Sequence, residues 1–212
     1  MLVVLSSILC VIALAFLVGA AGAAWKGLVD RDNDGYVTLG STELQTDQYA
    51  IVGDLQGGGM RLFYGPSVLG DARVRATSQN DTPLFVGIGR KDDVLRYLDG
   101  AGYATVDSFE VRADTTHPGP APSGPPSAES IWTTATQGTG EQTLLWSPRD
   151  GEWSVVFMNA DARAGVDVQG DAAAKLPALP WLAGVLLVLG ALTGALGAWG
   201  LVRGLRRRRR TV

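Results

Sequence analysis

Two uncharged apolar runs bracket a stretch of short alternating segments. The first, Leu2–Ala24, is dominated by Leu, Val, Ile, Ala and Phe and meets the roughly 20 residues needed to cross bilayer hydrocarbon. The second, residues 180–202, ends in Arg203 and then Arg206, Arg207, Arg208, Arg209 and Arg210. Trp181 and Trp199 within it stand 18 positions apart, about 27 Å along a helix, the spacing of aromatic belts at two membrane interfaces. Between the runs, Ala72, Val74 and Ala76 alternate with Arg73, Arg75 and Thr77, and Val166 and Val168 alternate with Asp167, Gln169 and Asp171. Period-two patterning of this kind predicts strands with one buried face. Residues 152–160 instead put Trp153, Val155 and Phe157 on one side and Val156 and Met158 on the other, the pattern of a strand that is central or covered by another element.

Further strands are expected at 36–39, 48–54, 84–88, 105–113, 131–136 and 142–147. The Asp150-Gly151 turn signal predicts a hairpin between 142–147 and the Trp153 strand. One helix interrupts the pattern, with Asp92 or Asp93 as its N-cap, Val94, Leu95 and Leu98 on one face and Gly100 at its C-terminus. Gly57-Gly58-Gly59 reads as a bend. Residues 115–130 contain five of the ten prolines and the single histidine, His117, and read as a long irregular surface loop with a solvated histidine. The predicted architecture is mainly β: an antiparallel, jelly-roll-like β-sandwich over 26–179 with one short helix, between transmembrane helices at 1–25 and 180–202 and an arginine tail at 203–212.

Charge sharpens this picture. All 21 Asp and Glu lie between positions 30 and 171, against 12 Lys and Arg between positions 26 and 175, whereas the other six Arg lie between positions 203 and 210. The positive-inside rule places that arginine cluster in the cytoplasm and the acidic domain outside the plasma membrane. An acidic domain repels phosphate backbones, so nucleic acid is a poor candidate for its partner and none is expected. The first run also fits a signal peptide, because Ala21-Gly22-Ala23 resembles a cleavage site, but it lacks a basic leader and is long for one. Cys10 lies inside that run rather than after it, which disfavours a lipid anchor there. Gly190 and Gly194 form a G-x-x-x-G, flanked by Ala191 and Ala195, and Ala15, Gly19 and Ala23 are similarly spaced, so these small residues suit helix–helix pairing, either as a hairpin of the two helices or as dimerisation of one of them. No Asp, Glu, His, Lys or Arg lies in either span, which argues against a proton or ion path.

The sharpest candidate chemistry is Asp30-Arg31-Asp32-Asn33-Asp34-Gly35-Tyr36-Val37. Asp30, Asp32 and Asp34 with Gly35 match the start of a calcium loop. The match fails at its twelfth position, where Ser41 replaces the bidentate glutamate, and a polar turn accounts for the same residues. Calcium is the sole cofactor the sequence raises. The lone histidine and the absence of cysteine from the domain leave zinc hydrolysis and the familiar triads without residues. Gly87-Ile88-Gly89 lacks the remaining spacing of a nucleotide fingerprint. Trp132, Trp146 and Trp153 are expected in the core rather than on a sugar-binding face.

Asp34-Gly35-Tyr36, Thr46-Asp47, Tyr49-Ala50, Arg73-Val74-Arg75-Ala76, Phe85-Val86-Gly87-Ile88-Gly89, Tyr97-Leu98 and residues 153–161 together resemble an uncharacterised set of actinobacterial two-helix membrane proteins. The resemblance covers nearly the whole domain and the second helix. It implies the topology and the sandwich, but no activity. It places Asp34-Gly35-Tyr36 in the turn leading into the sheet, against calcium, and puts Tyr103 where members often carry histidine, so that group is not a required catalyst. The function expected is that of a membrane-anchored, non-enzymatic binding domain whose partner is a protein or envelope component. The alternatives are a structural subunit of a membrane complex and a carboxylate-dependent envelope hydrolase.

Overall fold

The computed structural model describes residues 2–25, 31–55, 70–106 and 115–208. The chain divides into two compact units: one formed by its two ends, through Asp34 and from Leu176, and one spanning Gly35–Lys175. The first contains helices α1 (Leu2–Ala24) and α3 (Ala178–Arg208). Both are long and apolar enough to cross a membrane, over Ser7–Ala24 and Ala178–Arg203.

The two helices lie antiparallel. A Cβ added at Gly19 would meet Leu186, one at Gly190 would lie 3.0 Å from Leu17 Cγ and 3.3 Å from the Ala13 carbonyl, and one at Gly194 would lie 3.6 Å from Ala13 Cβ. Ala13, Ala20 and Ala183 are buried. The covered positions recur at Leu9, Ala13, Phe16 and Ala20 on α1 and at Ala183, Leu186, Gly190, Gly194 and Gly197 on α3. Steps of three and four residues are the spacing of a knobs-into-holes seam, and the small side chains let the backbones approach. The seam runs through Ala13 and Ala20 rather than through the expected Ala15, which is exposed. The Thr193 hydroxyl donates to the Leu189 carbonyl at 2.7 Å, so it needs no partner outside its helix.

The second unit is mostly β. Its strands are β1 (Val37–Thr46), β2 (Ala50–Asp54), β3 (Ala72–Ser78), β4 (Leu84–Arg90), β5 (Tyr103–Val106), β6 (Thr115–His117), β7 (Trp132–Gly138), β8 (Glu141–Trp146), β9 (Trp153–Asn159) and β10 (Val166–Ala174), with helix α2 (Lys91–Tyr97) between β4 and β5. They form a four-stranded sheet, β1-β10-β3-β8, and a six-stranded sheet, β6-β5-β2-β9-β4-β7. Both sheets supply one core: Leu44, Val74, Ala76, Leu144, Val166 and Val168 from the first, and Ile51, Leu84, Val86, Ile88, Val155 and Phe157 from the second. The alternating strands bury the faces their patterns predict. Strand β9 is buried at every position, because it sits between β2 and β4 and its second face is covered by α2 and neighbouring aromatics.

Three local expectations change. Strand β8 pairs with β3, not with β9, and the two lie in different sheets. Gly151 (φ +112°) instead makes room for the Arg90 guanidinium, which a side chain there would strike, and Arg90 in turn lies 4.7 Å over the Trp153 ring. Second, β2 and β5 are parallel, whereas the remaining pairs are antiparallel. Strand β4 already runs parallel to β2, since each is antiparallel to β9, and α2 returns the chain so that β5 repeats that direction. Third, Asp92 and Asp93 do not cap α2. Arg90 occupies the N-cap without a side-chain hydrogen bond, and the two carboxylates stand in the first turn, where the helix dipole favours them. Val94 and Leu98 are buried but Leu95 is exposed, and Gly100 (φ +72°) closes the turn after the helix. Gly57-Gly58-Gly59 and residues 107–113 of the expected 105–113 strand lie outside the described residues.

Candidate functional site

The proline-rich segment is the irregular surface loop its composition predicts over 118–125, but it is seated on the outer face of the six-stranded sheet, and its ends form β6 and a 3-10 turn at 126–128. That face carries Ala50, Val52, Val94, Leu98, Val156 and Met158, with Tyr97, Tyr103 and Trp132 packed against them. Gly87 makes this packing possible. A Cβ there would fall 2.8 Å from the Trp132 and Phe85 rings, and one at Gly89 would fall 3.4 Å from Trp132. Gly87-Ile88-Gly89 is therefore a floor for an indole on a strand, not part of a nucleotide loop. Trp132 lies 5.1 Å from Phe85 and meets Tyr97 edge-on at 6.1 Å, both favoured aromatic geometries.

The polar ends of those aromatics hold the loop. The Tyr97 hydroxyl donates to the Gly124 carbonyl at 2.8 Å, and the Trp132 indole donates to the Pro126 carbonyl at 2.7 Å. The Gly102 amide donates to the Pro120 carbonyl at 3.0 Å. Gly119 lies directly on the backbone of residues 100–102, where a Cβ would overlap main-chain atoms. Each of these hydrogen bonds contributes on the order of 1 kcal/mol. Residues 126–128 close as a short 3-10 turn with Pro126 buried. Burial, with a smaller contribution from the Glu129 carboxylate, pushes the Tyr97 phenol up to about 12.

His117 is exposed, as expected, but it is tied to the sheet. It ends β6, pairs with Tyr103 on β5 and stacks on its ring at 4.5 Å and 19°. Trp153 is buried in the core, and Trp146 packs half-buried against it. Trp132 serves the outer cluster instead. Sequence patterning marks neither Tyr97 nor the glycine-on-glycine contact. The available signal was the recurrence of Gly100, Gly102 and Gly119 around a proline run.

The Asp-rich turn is closed by its own side chains. Asp32 Oδ1 accepts the Asp34 amide at 3.0 Å, and Gly35 takes φ +82°. Tyr36 is buried beside it, with the Arg73 guanidinium 4.4 Å and the Lys175 ammonium 4.9 Å from its ring. Asp30 lies outside the described residues. Among the described residues no three His, Cys, Asp or Glu gather as a metal-binding group.

The outer face of the four-stranded sheet is polar. Glu43, Gln169, Thr77 and Glu141 form one cross-strand row, and Ser41, Asp171, Arg75 and Thr143 another. Elsewhere several carboxylates are ion-paired: Asp54 with Lys91 at 2.8 Å, Asp93 with Arg96 at 2.6 Å and Asp161 with Arg163 at 3.1 Å. The hydrogen bond to Asp54 raises the Lys91 ammonium, against an opposing effect of burial. Exposed pairs of this kind contribute at most about 1 kcal/mol.

No protein-family model and no curated protein matches the chain. Among solved structures it is similar to the Yersinia pseudotuberculosis-derived mitogen (YPM), at 10% identity and a TM-score of 0.29 over 65% of this chain and 83% of that one. Likeness at that level carries no argument about fold or function.

Proposed function

We propose that the protein is a membrane-anchored, non-enzymatic binding protein whose ectodomain presents the seated proline loop to a protein or envelope partner outside the cell. The observation that carries this reading is the clamping of 118–126 by Tyr97, Trp132 and Gly102. A loop already ordered before contact loses less conformational entropy on binding, and a long ordered surface loop is more often functional than incidental.

The strand orders favour a jelly-roll sandwich. With β5 and β6 set aside as an insertion after α2, the remaining eight strands divide into sheets 1-10-3-8 and 2-9-4-7, consistent with an eight-stranded double Greek key. The two apolar helices and the arginine cluster favour a plasma-membrane location with a cytoplasmic tail. Placement of Gly190 and Gly194 against α1 favours helix pairing within the chain over recruitment of a separate subunit. The resemblance to actinobacterial two-helix membrane proteins agrees with this topology.

The test is site-specific photo-crosslinking in cells. A photoreactive residue in place of the exposed Ser123 should give a discrete adduct, and one in place of the exposed Glu43, on the other sheet, should not. Equal labelling at both positions, or none at Ser123, would remove the loop as the binding surface.

A further inference from the structure

The segment 118–126 has properties that its attachment to the sheet does not require. Proline occupies five of its nine positions and fixes φ near −65° at each. A residue before proline is held in extended or polyproline II backbone, which applies to His117, Ala121 and Pro125. Pro125 has φ −65° and ψ 142°, polyproline II values. Pro118, Pro120 and Pro125 are exposed, whereas Pro126 is buried. The carbonyls of Pro120, Gly124 and Pro126 are taken by the Gly102 amide, by α2 and by β7. Charge is nearly absent: residues 115–140 carry a single formally charged group, Glu129, in a domain that is otherwise rich in Asp and Glu. Ser123 and Ser127 supply the exposed side-chain hydroxyls of 118–128.

That surface suits neither a glycan, which needs a denser set of hydrogen-bonding side chains, nor an anionic polymer, which needs cations. It suits aromatic rings. Grooves lined with Trp and Tyr recognise proline segments because the ligand is apolar, stiff and already extended. We propose that 118–126 is a proline ligand held ready for an aromatic-lined groove on a partner protein, with Pro118, Pro120 and Pro125 as the contacting rings. This rests on reading the loop as the binding surface. It adds the chemistry of the partner.

The experiment titrates the full-length chain in nanodiscs with isolated WW, SH3 and EVH1 domains as probes, alongside a free peptide of residues 115–130. At least one domain should bind the chain about tenfold more tightly than the peptide, because the loop is already ordered. Its affinity should change less than about twofold between about 50 and about 500 mM NaCl, since no charge is engaged. Pro118→Ala, Pro120→Ala and Pro125→Ala together should weaken it at least about tenfold, with Trp132 fluorescence checking that the loop stays seated. If that emission shifts, the single variants Pro118→Ala and Pro125→Ala are read separately, and an unchanged affinity in both would overturn the proposal. So would the absence of binding by domains that each bind their own proline-rich control peptide. A Ser123 crosslink obtained while every groove domain fails would leave the loop as the binding surface and overturn only the groove.

Discussion

At the scale of single residues, small side chains and the polar ends of two aromatics fix the domain's outer cluster. Gly87→Val would drive a branched side chain into Phe85 and Trp132. Overpacking of this kind costs about 1–3 kcal/mol, and we expect a loss in that range in urea denaturation together with a changed Trp132 environment. Tyr97 gives the domain a base-sensitive limb. Its folded-state pKa of about 12 lies above the ordinary 10.0, so the stability it confers is present below pH 10 and lost as pH rises toward 12. Tyr97→Phe should cost about 1 kcal/mol at neutral pH through the unpaired Gly124 carbonyl. It should also flatten the alkaline limb, leaving whatever Lys91 contributes as its raised pKa is passed. For the Asp-rich turn, the Asp32–Asp34 hydrogen bond leads us to expect a shift of less than about 1 °C in Tm on adding millimolar calcium, checked by calorimetry.

At the scale of elements, legibility followed periodicity. The faces of β3, β9 and β10 were readable because a period of two survives in any antiparallel sandwich. The pairing of β8 was not. Asp150-Gly151 carries a hairpin signal, but the turn serves Arg90 and Trp153, and a local signal cannot say which sheet a strand joins. The proline segment was legible as irregular but its seating was not, for a related reason: composition reports the missing donors, not the carbonyls that Tyr97, Trp132 and Gly102 find there. The seam between α1 and α3 makes its own prediction. Ala13 and Gly194 come within disulfide range, with a Cβ at the latter 3.6 Å from Ala13 Cβ. In a Cys10→Ser background, Ala13→Cys with Gly194→Cys should therefore cross-link within the chain. Adding Gly190→Leu, which must displace Leu17 and the Ala13 carbonyl, should reduce that yield several-fold on non-reducing gels.

At the scale of the molecule, two apolar runs and one alternating domain were legible because membrane length and sheet period are coarse properties. Candidate sites were less so, since the loop's seating depends on contacts of residues 97, 102 and 132 with residues 124, 120 and 126. The orientation has a direct check: a cysteine replacing Ser123 should react with impermeant maleimide on intact cells, and one replacing Thr211 only after permeabilisation. The pairing of β1 with β10 reaches further. Val37 stands opposite Ala174, so the domain's first and last strands are neighbours in one sheet. A folded sandwich thereby turns the meeting of α1 and α3 into an encounter at millimolar effective concentration. A weak glycine seam then suffices, and the coupling runs both ways: a core lesion such as Phe157→Ala, in the domain's own core, should loosen the helices as well.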